Sequence, residues 1–125
     1  KKKNFQRLIS PKNIAFFGGR DVEVAIKEAK RRGFSGDIWP VNPNRKNIQG
    51  IECFKSVVDL PEPPDASFIA VPAKHVSGII KELALMGAGG VVCYSAGFSE
   101  TGQSGKNHEN QLNSLAPDIP IIGPN

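Results

Sequence analysis

The chain is poor in reactive and aromatic residues. It has two cysteines, two histidines, one methionine, one tryptophan and one tyrosine in 125 residues. Cys53 and Cys93 each stand in an apolar run, so neither a disulfide framework nor a Cys/His metal cluster is indicated. Both read as buried thiols, which fits a reducing cytoplasm. No run approaches the roughly 20 apolar residues of a membrane-crossing helix. The basic start is not followed by the apolar stretch of a secretory signal. Acids are missing from the first twelve residues, where Lys1, Lys2, Lys3, Arg7 and Lys12 fall. The remaining residues carry 11 basic and 12 acidic side chains, so the formal charge of +4 belongs to the leading segment. A nucleic-acid domain carries its basic patch on its folded face. The expectation is therefore no nucleic-acid and no membrane partner, with 1–12 as a solvated basic lead and 13–125 as the domain.

What is present suits one folded unit. Hydrophobic residues make up 39% and charged ones 22%, the balance of a globular chain. Five apolar runs recur at similar intervals: Asn13 to Phe17, Asp37 to Val41, Ala66 to Val71, Gly90 to Tyr94 and Ile119 to Ile122. Each is short, rich in β-branched or aromatic residues, and closed by Gly, Pro or Asn, which predicts strands buried on both faces. Val22, Ala25, Ile26 and Ala29 recur with helical period before a capping Gly33. Val76, Ile79, Ile80 and Leu83 do so before Gly87. Lys106 to Ala116 predicts a weaker helix. Residues 48–64 read as a short segment around Cys53 and Phe54, a polar turn and a Pro-rich connection. Strand–helix alternation predicts an α/β fold: one Rossmann-like, doubly wound domain with a parallel five-stranded core sheet.

In such sheets ligands lie beyond the carboxyl ends of the strands. Those ends read Gly18-Gly19-Arg20, Asn42-Pro43-Asn44-Arg45, Pro72-Ala73-Lys74, Ser95-Ala96-Gly97-Phe98 and Gly123-Pro124-Asn125. They hold no His or Cys, and Glu100 is the one acid nearby. Small residues, prolines and two arginines suit holding an anion rather than acid–base or nucleophilic chemistry, so no catalytic or metal residue is expected. Glycine at 18 and 19 would let backbone amides and a helix N-terminus meet a phosphate. It would equally serve a tight turn that needs φ > 0, and the fingerprint G-x-G-x-x-G is absent. His75 and His108 read as surface residues, Trp39 and Cys93 as core.

Ser10-Pro-Lys-Asn-Ile-Ala-Phe-Phe-Gly-Gly, Gly33-Phe-Ser-Gly-Asp-Ile-Trp-Pro-Val-Asn-Pro, Ala70-Val-Pro-Ala, Ser95-Ala-Gly-Phe-Ser-Glu and Ile122-Gly-Pro-Asn together resemble the CoA-binding domain. This domain heads the NDP-forming acyl-CoA synthetases and is related to the succinyl-CoA synthetase α subunit. The resemblance implies that Gly18, Gly19 and Arg20 wrap the CoA phosphates. It implies that Val41, Asn42 and Pro43, followed by the basic Arg45, contact the nucleotide part. Val71, Pro72 and Ala73 would line the adenine side, and Ser95, Ala96 and Gly97 would close over the ligand. Coenzyme A or acyl-CoA is the implied ligand. A phosphohistidine, ATP or ADP, and magnesium belong to further domains or a partner subunit of a longer enzyme. A lysine acetyltransferase head and a CoA-sensing module without catalysis are the alternatives. The first turn departs from the family, since Gly19 and Arg20 stand where Ala and Ser are usual and a continuation with a further glycine is missing.

Overall fold

Strong β-formers at 13–17, 37–41, 66–70 and 90–93 all become strands in the computed structural model, which describes residues 2–94 and 116–123. These strands are β1 (Asn13–Gly18), β2 (Asp37–Val41), β5 (Ala66–Ala70) and β6 (Gly90–Cys93). With β7 (Ile121–Ile122) they form one sheet in the order β2-β1-β5-β6-β7. Every pairing in it is parallel. The predicted last strand is shortened. Pro120 has no N–H to give the ladder, although its carbonyl accepts from the Val91 amide at 2.9 Å.

Alternate side chains divide between two cores. Ala15 and Phe17 of β1 join Ile69, Val91 and the buried Val76, Ile80 and Leu83 of α3 (Ala73–Met86). Phe16 packs the other way, with Val22 and Ile26 of α2 (Arg20–Arg31). Its ring lies 6.1 Å from that of Phe68. Helices therefore cover both faces, as a doubly wound sheet requires. Burying each of Ile26, Ile80 or Leu83 contributes about 1.5–3 kcal/mol. α2 ends as its sequence predicts: Gly33, at φ +84°, bonds back to Lys30, and the Phe34 amide bonds to Ala29 O at 3.0 Å. Gly87, left-handed at φ 85°, ends α3. Trp39 and Cys93 are core residues. Burial pushes the Cys93 thiol up to about 11.

Two segments differ from expectation. Residues 47–52 form a hairpin of β3 (Asn47–Ile48) and β4 (Ile51–Glu52), turning at Gln49 and Gly50, both with positive φ. A single 3₁₀ turn, Val57–Asp59, follows. The basic lead is not a free tail either: Lys2–Ile9 form helix α1, which packs on β5 and β6. Its Arg7 Nε donates to Asp65 Oδ1 at 2.8 Å, and Arg7 Nη1 reaches Asn4 Oδ1 and Gly87 O, each at 3.0 Å. The predicted helix Lys106 to Ala116 lies outside the described residues except for Ala116, which is buried and not helical.

Asp65 joins α1 to the start of β5. Its Oδ2 also accepts from the Lys12 amide at 2.8 Å. Burial alone would raise its pKa, but the Arg7 and Lys12 hydrogen bonds and charges outweigh it and hold the carboxyl below its usual range. A depressed folded-state pKa adds stability above the unfolded value, and that stability is lost as pH falls through the folded one. Asp65→Asn is expected to destabilise the fold by about 1.5–3 kcal/mol at neutral pH. The gap to the parent chain should close below about pH 4. Urea unfolding of both proteins at the two pH values measures this.

Candidate functional site

The chain runs away in opposite directions from β1 and β5, which lie side by side, so their carboxyl ends form the switch point. Gly18 is in register with Ala70 there. Its φ is +144°, and a Cβ would stand 2.4 Å from the Ala70 carbonyl oxygen and 2.9 Å from Val22 Cγ2. The fold itself demands this glycine. Gly19 is different. It is the N-cap of α2 with φ −122°, and a Cβ on it would meet only Asn42 Nδ2, at 3.9 Å. The Val22 and Glu23 amides bond back to Gly19 O, each at 3.1 Å; those of Arg20 and Asp21, which open α2, have no partner inside the helix and lie just beyond this open position.

Asn42 holds the neighbouring strand end in place. Its Nδ2 donates to Gly18 O at 2.8 Å. Its Oδ1 accepts from the amides of Asn44 at 2.8 Å and Arg45 at 3.1 Å. One side chain thus ties the end of β2 to the end of β1 and shapes the turn after it. Beyond β2, the Asn42 amide bonds to Phe54 O and the Phe54 amide to Pro40 O, both at 2.9 Å. That pairing carries Lys55, Ser56 and Val57 round to the same end of the sheet.

A cleft of about 520 Å³ opens where these segments meet, within the size range of small-molecule sites. Of the residues expected at the site, Gly18, Gly19, Val41, Asn42, Pro43, Val71 and Pro72 all line it. Arg20, Ala73 and Arg45 do not. Arg20 is exposed on α2. Arg45 is drawn aside by an ion pair with Glu23 in the first turn of α2, so each cancels the other's charge. Ser95, Ala96 and Gly97 lie outside the described residues, as do Glu100 and His108.

Sequence reading missed two walls of the cleft. One is Lys55 to Val57, whose approach depends on Phe54 bridging to Val41. The Gln49-Gly50 turn between Ile48 and Ile51 was the available signal. The other wall is the α3 face with His75, Gly78, Ile79 and Glu82, spaced i, i+3, i+4 and i+7. His75 is exposed, as expected, yet stands on the rim. Among the described residues, the charged side chains lining the cleft are Lys55 and Glu82, with His75 titratable beside them. Lys55 Nζ has one weak contact, to Pro43 O at 3.5 Å. Its ammonium can therefore swing to an anion at little cost.

Comparison with known proteins supports the fold. Residues 12–118 match the CoA-binding domain. Over 125 residues the chain is 38% identical to the ADP-forming acetate–CoA ligase II of Archaeoglobus fulgidus, covering 94% of this chain and 19% of that one. It is 36% identical over 124 residues to the alpha subunit of the ADP-forming acetate–CoA ligase II of Pyrococcus furiosus, covering 88% of this chain and 27% of the subunit. The apo structure of the dinucleotide-forming acetyl-coenzyme A synthetase 1 of Ca. Korarchaeum cryptofilum superposes with a TM-score of 0.84 at 28% identity, over 97% of this chain and 28% of that one. The chain thus spans under a third of each of these relatives. A match that takes in β1, both sheet-covering helices and every strand end of the cleft shows that the chain belongs to the CoA-binding domain family.

Proposed function

We propose that this domain holds the nucleotide part of coenzyme A for an ADP-forming acyl-CoA synthetase and contributes no catalytic residue of its own. One observation carries the reading: the small and proline-flanked strand ends of β1, β2 and β5 converge on a single cleft. The phosphates would meet the head of α2 at Gly19, where amides and the helix dipole favour negative charge. Lys55 would supply the mobile cation, since Arg45 is occupied by Glu23. Ser95, Ala96 and Gly97 are assigned to the turn that closes over the ligand, on the strength of the family motif. Activation of the acid and the passage of phosphate to ADP fall to the parts that the longer relatives possess and this chain does not span.

Calorimetric titration and melting curves test the reading. Coenzyme A at 100 times its Kd is expected to stabilise the domain by about 2.7 kcal/mol, a rise of about 10 °C in Tm. A shift with NAD and none with millimolar coenzyme A would overturn it. Lys55→Ala is expected to weaken coenzyme A by about tenfold, the scale of one charge-assisted hydrogen bond at a solvated rim. Arg45→Ala should cost less than about threefold, because its charge is already spent on Glu23.

A further inference from the structure

Each glycine of a fold has a reason to lack a side chain, and here the reasons can be sorted. Among the described residues, Gly18, Gly36, Gly89 and Gly90 would each drive a Cβ to 2.6 Å or less from another atom. Gly33, Gly50, Gly87 and Gly123 have positive φ. Gly19 and Gly78 have neither constraint. Both line the same cleft.

Gly78 is the more telling of the two. It lies inside α3, five residues from the helix start at Ala73 and eight from its end at Met86. Interior glycine weakens a helix relative to alanine, because it loses more backbone freedom on folding. No packing offsets that loss, since a Cβ at 78 would meet nothing within 4 Å. The fold would be more stable with alanine there. The open space is instead the cleft, whose wall here is mostly apolar: Ile79 beside it on α3, with Val41, Val57 and Val71 from the strand ends and the 3₁₀ turn, while His75 and Glu82 flank Gly78 along the helix. Negative groups are directed to Gly19 and Lys55, so the part of the ligand left for this wall is a flat, weakly polar one.

We infer that Gly78 is a clearance position, where α3 omits a side chain so that the adenine base of the ligand can lie flat against the helix. The inference rests on the coenzyme A reading and names the residue that sets how large a base the site accepts. At a backbone-bare patch an aromatic face gains close dispersion contact that a side chain would hold away.

The test compares the parent chain with Gly78→Ala, Gly78→Leu and Ser77→Ala, a neighbouring exposed position off the cleft. The probes are coenzyme A, adenosine 3′,5′-bisphosphate and free pantetheine. Gly78→Ala is expected to raise Tm by about 2–5 °C while weakening coenzyme A about tenfold. Gly78→Leu should weaken coenzyme A and the bisphosphate by the same factor, at least 100-fold, and Ser77→Ala should change neither. Equal affinity in parent, Gly78→Ala and Gly78→Leu would overturn the inference and leave the coenzyme A reading standing. Loss confined to pantetheine would overturn the assignment to the base. A parent chain that binds no coenzyme A would overturn both.

Discussion

In Gly19→Val, coenzyme A binding is expected to fall by at least 100-fold while the fold loses only about 1 kcal/mol, the scale of exchanging an N-cap glycine for an apolar residue. The contrast follows from the surroundings. A Cβ at position 19 has room, with Asn42 Nδ2 the nearest atom at 3.9 Å, so the protein tolerates the branch. The branch stands over the head of α2, where in the proposed binding mode the phosphates approach the amides closely for a charge-assisted hydrogen bond. Moving a phosphate outward by the width of an isopropyl group breaks those bonds outright. Titration of coenzyme A and urea unfolding on the same variant check both halves. Unchanged affinity would remove the phosphate role from this turn.

Gly18→Ala is expected to do the opposite, lowering stability by about 4 kcal/mol or more. Positive φ strains any side chain there, and the clash is with a backbone carbonyl of the neighbouring central strand, 2.4 Å away. β5 would have to move, and with it the pairing on both of its sides. A loss of this size comes near the whole stability of a small domain. Melting should shift down by about 15 °C with no ligand present.

The sheet was legible because its strands are continuous runs such as Ile-Ala-Phe-Phe and Ser-Phe-Ile-Ala, buried on both faces and closed by turn residues. The hairpin was not. Its strands are two residues each, too short for any period to register, and one of its two turn positions is Gln49 rather than a glycine or asparagine. That miss hid Lys55, which reaches the cleft through the Phe54 pairing. Arg45 stands at a strand end as read, but a charge count does not see Glu23 across the turn. Helix α1 was hidden by its lysines, although Leu8 caps Gly90 and Arg7 seeks Asp65. Gly78 was passed over inside a good helical pattern, where one glycine looks like noise.

The docking of α1 has a practical meaning for anyone who borrows this module. The stretch that matches the CoA-binding domain begins at residue 12, after the helix has ended at Ile9. A splice made at that point would discard Arg7 and leave Asp65 with a half-buried carboxylate lacking its guanidinium. It would also uncover Gly90, whose open face Leu8 fills. The segment that carries the domain match is thus shorter than the segment that keeps the fold intact, and a swap or fusion cut at its edge would pass through the hem of the sheet opposite the cleft.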